Sequence, residues 1–273
     1  MAAEDSSLAG QVAIVTGAGK GIGRSLVNRL SAQGVHLGLM ARTKEDIDQA
    51  SAEAQANGVR TVTGAFDVSD RSAVEDFVAE VQRDLGPVDL LINNAARSAS
   101  WSGEKFWEVD PDGWWSRIET NLRGPVLFAR AVLPSMVARG QGRIVAMNSL
   151  AGAMPLPMTD GAYPVSKSAL FRLTEQLASQ LVDTGVIALD LSPGIVRTQA
   201  NDNPAIPAST WTPIERIGDL VIAVAQGRLD GYNGRFVHAV DDLEEMIARV
   251  DECVENDGRV LRMRKAWPED PRA

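Results

Sequence analysis

Short apolar runs alternate along this chain with longer stretches whose apolar residues recur every three or four positions. The runs at 12–16, 36–41, 61–67, 88–93, 143–148, 186–191 and 234–239 predict β-strands. Most are rich in Val, Ile and Leu without a polar alternate face, as strands covered by helices on both sides require. Helical periodicity fills stretches such as 22–33, 44–57, 72–85 and 170–183. Ser69 and Asp70 stand where a helix cap belongs, and Gly34, Gly58 and Gly86 where helices should stop. This alternation predicts an α/β fold, a doubly wound and mostly parallel seven-stranded sheet. No linker or internal repeat divides the chain, so residues 1–240 read as a single domain.

The last stretch differs in character. Leu243, Met246, Ile247, Val250, Cys253 and Val254 recur on one helical face, and Gly258 breaks the pattern before a short basic strand or arm at 259–265. Residues 241–273 are therefore expected to form a C-terminal extension, an amphipathic helix plus a short arm. It would pack on the domain or on a neighbouring subunit.

Composition narrows the function classes. The formal charge of −9 over 273 residues argues against nucleic acid as a partner, because phosphate neutralisation needs clustered Lys and Arg. No apolar run approaches the roughly 20 residues needed to span a bilayer, and the N-terminus lacks the features of a signal peptide. Cys253 is the only cysteine, which suits a reducing, cytoplasmic setting. His36 and His238 open and close strands with no Ser/Asp or metal-ligand companions, so both are expected to be structural and no metal site is expected.

The first strand runs into Thr16-Gly17-Ala18-Gly19-Lys20-Gly21-Ile22-Gly23 and then a helix. Glycines let the backbone turn tightly and approach a pyrophosphate, while the helix N-terminus offers free N–H groups. The loop lacks the Gly-Lys-Ser/Thr ending of nucleotide-hydrolysing loops, which disfavours phosphoryl transfer. Position between first strand and first helix is what makes this a dinucleotide signal, and the fold is then Rossmann-type.

Further motifs follow in order. Asn93-Asn94-Ala95 ends the fourth strand, Asn121 lies in Glu-Thr-Asn-Leu-Arg-Gly, and Ser149 closes the fifth strand. Tyr163-Pro-Val-Ser-Lys167 and Pro193-Gly194-Ile195-Val196-Arg197-Thr198 complete the set. Together they resemble the short-chain dehydrogenase/reductase family from about Leu8 to about Val240, with Ala96 where that family has glycine after Asn-Asn-Ala. The resemblance implies hydride transfer between a nicotinamide cofactor and a carbonyl or secondary alcohol. It implies a catalytic set of Asn121, Ser149, Tyr163 and Lys167. It also implies a cofactor site built from Gly17, Gly19, Lys20, Gly21, Ile22, Gly23, Arg42, Asp67, Val68, Asn94, Ala95, Tyr163, Lys167, Pro193, Gly194, Val196 and Thr198.

The residue types suit that chemistry. Tyr163 and Lys167 lie four apart, on one helical face. A phenol with an ordinary pKa near 10 is a poor base at neutral pH, and a neighbouring ammonium is expected to lower it. As the resemblance implies, Lys167 would reach the ribose hydroxyls, Ser149 would hydrogen-bond the substrate oxygen and Asn121 would hold a relay water.

Cofactor choice turns on the end of the second strand. Ala41 stands where an acid would bind the ribose 2′-hydroxyl, while Arg42 follows and Lys20 lies in the loop. Two cations without a carboxylate suit a 2′-phosphate, so NADP(H) is expected in preference to NAD(H). Segments 97–115, with Trp101, Trp107, Trp114 and Trp115, and 199–213, with Pro204, Pro207 and Trp211, are expected to cover the nicotinamide end. Their aromatics point to an apolar or ring-bearing small molecule, although Trp114 and Trp115 equally suit the start of a helix, where they would pack. The resemblance further implies a homodimer or homotetramer. Three alternatives remain open: a non-catalytic cofactor sensor, a sugar-nucleotide epimerase or dehydratase, and an enoyl reductase.

Overall fold

Every residue of β1 (Val12–Thr16) is buried, and its side chains alternate between two apolar layers. Ala13 and Val15 face one layer, Val12 and Ile14 the other. The computed structural model describes residues 8–99, 103–157, 159–198 and 207–262. After β1 come α1 (Gly21–Ser31), β2 (His36–Ala41), α2 (Lys44–Gln55), β3 (Thr61–Ala65), α3 (Arg71–Asp84) and β4 (Leu90–Asn93). The chain continues through α4 (Pro111–Ile118), α5 (Gly124–Arg139), β5 (Gly142–Met147), α6 (Ala162–Gln180) and β6 (Val186–Ser192). It ends with α7 (Ile214–Ala225), β7 (Phe236–His238), α8 (Leu243–Ala248) and α9 (Val250–Glu255).

The strands form one seven-stranded sheet in the order β3-β2-β1-β4-β5-β6-β7, parallel throughout. Leu26 and Leu30 of α1, Ile47 of α2 and Ile217 and Val221 of α7 cover one face. Phe77 and Val81 of α3 and Phe128, Val132 and Met136 of α5 cover the other. This is the doubly wound, Rossmann-type sheet that the strand pattern predicts. The direction in which strands are added reverses between β1 and β4, and their carboxyl ends open the crevice in which such sheets bind ligands.

Boundaries follow local chemistry. Gly34, Gly58 and Gly86 all hold positive φ, the conformation that ends a helix with least strain when no Cβ is present. Asp70, rather than Ser69, caps α3, accepting the Ala73 N–H at 3.2 Å. His36 and His238 are structural: each Nδ1 accepts a backbone N–H, from Arg60 at 3.1 Å and from Val240 at 3.2 Å. Among the described residues no helix is long and apolar enough to cross a membrane.

Two expectations need correction. Helix α6 begins at Ala162, well before the expected 170, because Asp160 accepts the Ala162 N–H at 3.1 Å and Pro164 falls in the first turn, where its missing donor costs nothing. Helix α5 carries no clean polar face and so gives little helical periodicity, whereas α7 exposes only Glu215, Arg216 and Asp219 and buries the rest of its length apart from the half-buried Ile214. The C-terminal stripe forms two short helices and not one. Tyr232 Oη donates to the Met246 carbonyl at 2.9 Å, the acceptor that the Val250 N–H would need for the helix to continue. Val250 packs against Gly231 instead, where a Cβ would lie 2.6 Å from it. Residues 263–265 of the expected arm lie outside the described residues.

Phe128 is fully buried and meets Phe77 edge-on at 6.3 Å. Phe128→Ala should cost about 3–5 kcal/mol, read as a lowered denaturant midpoint, whereas Val254→Ala at an exposed position should shift it little. Equal midpoints for the two variants would contradict this account of the core.

Candidate active site

The loop after β1 is clamped to β4 across the switch point. Thr16 Oγ1 accepts the backbone N–H groups of Asn94 and Ala95, each at 2.9 Å. Asn94 Nδ2 donates back to the carbonyls of Thr16, at 2.9 Å, and Gly17, at 3.3 Å. The glycines are needed for close approach. A Cβ on Gly23 would lie 2.1 Å from the Gly17 carbonyl oxygen, and one on Gly17 would lie 2.9 Å from Ala95 Cα. Gly21 faces Thr198 across the loop, and Ile22 packs into the layer beneath α1. The first turn of α1 receives no side-chain cap from Lys20, so its N–H groups suit a pyrophosphate. The cradle fits a dinucleotide. Ala96 is exposed and takes no positive φ, so the missing glycine imposes no strain there.

The ends of β2 and β3 form the neighbouring wall. Arg42 is exposed and close enough to Asp67 for its charge to act on that carboxyl. Burial pushes Asp67 up, but hydrogen bonds from the Ser69 hydroxyl and amide, with the charges of Arg42 and Arg97, hold it below the ordinary carboxylate value. Val68 turns its side chain against Gly124 at the start of α5. Lys20 departs from expectation. Its Nζ pairs with Asp46 at 2.9 Å, so the pocket holds a carboxylate that the reading of two unopposed cations missed. Asp46 enters because α2 starts directly beneath the loop, where Arg24 Nη1 ties the Gly19 and Asp46 carbonyls together at 3.4 and 3.2 Å.

At the carboxyl ends of β5 and β6 the four expected catalytic residues come together. Ser149 follows β5, with its hydroxyl close enough to the Tyr163 phenol to act on it. Lys167 is 3% exposed, stands 5.5 Å from the centre of the Tyr163 ring, and donates to the Met147 carbonyl at 2.6 Å. Gly152 lets α6 come this close, since a Cβ there would lie 2.6 Å from the Lys167 backbone. Asn121 occupies a π-helical turn, Glu119–Arg123, a local widening that often marks functional positions. Its Oδ1 accepts the Arg97 N–H at 2.7 Å, and Nδ2 donates to the Arg97 carbonyl and to Ser166 Oγ, both at 3.0 Å. Both amide donors are thus committed, and Asn121 can offer a water only an acceptor.

The electrostatics differ from expectation at Tyr163. Burial pushes its phenol above the ordinary value, and the nearby Ser149 hydroxyl offsets this only in part. The Lys167 ammonium is docked on the Met147 carbonyl, 5.5 Å from the ring centre, and burial outweighs it, so the expected net lowering does not occur. Lys167 itself is lowered by burial to about 8, against the opposing charge of Asp190. Asp190 is 1% exposed and raised by burial to about 7, against hydrogen bonds from Asn148 and Thr174 and the charge of Lys167. The motifs did not reveal Asp190. The available signal was a single acid inside the apolar run Val-Ile-Ala-Leu-Asp-Leu-Ser.

The remaining wall comes from the segment after β6 and from α4. Gly194 adopts φ +73° beside Thr212, whose N–H bonds the Ile195 carbonyl at 2.8 Å, while Pro193 is half-buried and Val196 is buried in the core. Trp114 and Trp115 belong to α4 and meet edge-on at 5.3 Å; Trp114 Nε1 donates to the Asp160 carbonyl at 3.1 Å, so Trp114 packs. Arg117 pairs with Asp160, fixing α4 to the start of α6. Phe106 and Trp107 are 71% and 80% exposed. Trp101, Gln199 and Pro204 lie outside the described residues.

Comparison with known proteins agrees with this arrangement. The model of the family described as short chain dehydrogenase matches residues 11–205. The chain belongs to the short-chain dehydrogenase family. As a member it is an NAD(P)-dependent oxidoreductase. A short chain dehydrogenase of Pseudocercospora fijiensis is 33% identical, over 93% of this chain and 87% of that protein. L-Sorbose reductase from Gluconobacter frateurii, solved with NADPH and L-sorbose, superposes with a TM-score of 0.77 at 25% identity, over 86% of this chain and 97% of that one. A xylitol dehydrogenase solved with NAD+ gives 0.76 at 25% identity, over 85% and 98%.

The clash at Gly23 yields a test of the cradle. Gly23→Ala should weaken NADPH binding at least about tenfold, followed by nucleotide fluorescence, while the circular dichroism of the fold persists. Unchanged affinity would contradict the placement of the pyrophosphate.

Proposed function

We propose that this short-chain dehydrogenase is an NADP(H)-preferring ketone reductase or alcohol dehydrogenase with Tyr163 as its general acid/base. The observation that carries the reading is the placement of Tyr163 with the Lys167 ammonium 5.5 Å from the centre of its ring and Ser149 close by at the end of β5, at the same carboxyl end of the sheet as the glycine cradle. Bound nicotinamide supplies the hydride. In reduction, Tyr163 Oη gives its proton to the substrate oxygen as the carbonyl carbon becomes tetrahedral. Ser149 Oγ donates to the same oxygen and orients the carbonyl. A buried phenol above its ordinary pKa holds its proton at neutral pH, which suits the acid role; the Lys167 ammonium stabilises the phenolate left behind. Asn121 braces Arg97 and Ser166 behind this set.

Cofactor preference rests on Arg42, whose guanidinium is exposed at the end of β2, where a 2′-phosphate would be gripped. The Lys20–Asp46 pair weakens the contribution of Lys20 to that preference. On the substrate side, Phe106, Trp107 and Trp115 expose rings that suit an apolar or ring-bearing carbonyl compound. The L-sorbose bound by one solved relative makes polyols and ketoses necessary members of any substrate panel. Residues 1–240 would then form the cofactor-binding and catalytic domain and 241–273 the extension, in a cytoplasmic homo-oligomer.

Nicotinamide absorbance should fall when NADPH meets a panel of ketones, aldehydes, quinones and ketoses. Tyr163→Phe should lower kcat about a hundredfold to ten-thousandfold while NADPH still binds. Binding without turnover in either direction would contradict the reductase reading. Arg42→Ala should raise the KM for NADPH roughly ten- to a hundredfold and leave that for NADH nearly unchanged. Equal effects on both cofactors would contradict the assigned preference.

A further inference from the structure

Asp190 lies on β6, between β5 and β7, with its side chain among groups of β5 and α6. Its Oδ1 accepts hydrogen bonds from Asn148 Nδ2 at 2.9 Å and Thr174 Oγ1 at 3.0 Å. Asn148 immediately precedes Ser149 and accepts its N–H at 2.8 Å. Thr174 stands two helical turns beyond Lys167 on α6, on the same face. One buried carboxylate is therefore tied to the strand end that presents Ser149 and to the helix that carries Tyr163 and Lys167. The ionised group acting on it is the Lys167 ammonium, itself buried and docked on the Met147 carbonyl.

We propose that Asp190 is a positioning residue for the Tyr163–Lys167 pair, its carboxylate being the counter-charge that keeps the Lys167 ammonium protonated and docked on the Met147 carbonyl. This rests on the reading of Lys167 as part of the reaction machinery. A buried ammonium with no opposing charge gives up its proton, and neutral Lys167 would no longer stabilise a phenolate at Tyr163. The directions of the shifts agree: burial lowers Lys167 and Asp190 opposes it, while burial raises Asp190 and Lys167 opposes it. Among the described residues, the groups that bond or approach the pair are uncharged: Asn148 and the Met147 carbonyl from β5, Thr174 and the protonated Tyr163 from α6. On β7, His238 responds to Asp241 and Arg259 and not to this pair.

Asp190→Asn retains an oxygen that can accept both hydrogen bonds and removes only the charge. Lysines labelled with carbon-13 at Cε report ammonium titration by NMR in the full chain, with Lys167 assigned from Lys167→Arg. The Lys167 midpoint should fall by about one pH unit in Asp190→Asn while the other lysines stay fixed. The alkaline limb of the kcat profile should move to lower pH by the same amount. An unchanged Lys167 midpoint overturns the proposal whatever happens to turnover. A lowered midpoint in a protein that turns over no panel member upholds the Asp190–Lys167 coupling and contradicts the reductase reading instead. If Asp190→Asn does not fold, Thr174→Val gives a smaller fall of the same sign, because a carboxylate with one donor fewer is less ionised. An unmoved or raised Lys167 midpoint in that variant overturns the proposal equally.

Discussion

The Lys167 ammonium is buried under α6, and much of the catalytic end of the fold is arranged around satisfying it. A buried charge is tolerated only when hydrogen-bonded and opposed by another charge. The end of β5 provides the Met147 carbonyl, and β6 provides the Asp190 carboxylate. Close passage of α6 over Gly152 fixes how deep the lysine sits. These same constraints determine where Tyr163 stands, one helical turn before the lysine, and bring it to Ser149 at the end of β5. Groups from two strands and a helix, the Met147 carbonyl, Asp190 and Lys167, thus gather in one buried cluster. Tyr163, four residues before Lys167 on α6, stands at the rim of that cluster.

A second cluster of contacts organises the cofactor side. Thr16 and Asn94 exchange hydrogen bonds across the point where the sheet reverses its winding, so the glycine loop is held against β4 before any ligand arrives. A loop fixed in this way loses little freedom on binding, and its N–H groups already face the crevice. The two clusters lie on adjacent strands, β4 and β5, which places the cradle beside the proton donor. The fold therefore brings together a dinucleotide cradle and a proton-transfer group that lie far apart in sequence.

Much of this was legible in the chain. Buried parallel strands announce themselves as uninterrupted apolar runs, and the glycine loop and Tyr163/Lys167 spacing follow from steric and helical rules. What was not legible depends on contacts between distant segments. Nothing local to Lys20 reveals that α2 delivers Asp46 to it. The start of α6 is set by Asp160 and by site contacts more than by periodicity, and the break between α8 and α9 by Tyr232 reaching Met246. The phenol of Tyr163 was expected to be lowered by its neighbour, yet burial outweighs the ammonium, which is docked on the Met147 carbonyl. Asp190 was visible as an oddity in an apolar strand, but its partners come from β5 and α6.

The central claim, that the crevice at the ends of β1, β4 and β5 carries hydride transfer to a carbonyl carbon, is tested most directly by isotope transfer. Wild-type protein would be incubated with the carbonyl panel and NADPH deuterated at either face of nicotinamide C4, and the products examined by mass spectrometry and NMR. The account predicts deuterium at the former carbonyl carbon of the product, from one face of the nicotinamide only. Product lacking the label, or labelled equally from both faces, would contradict it.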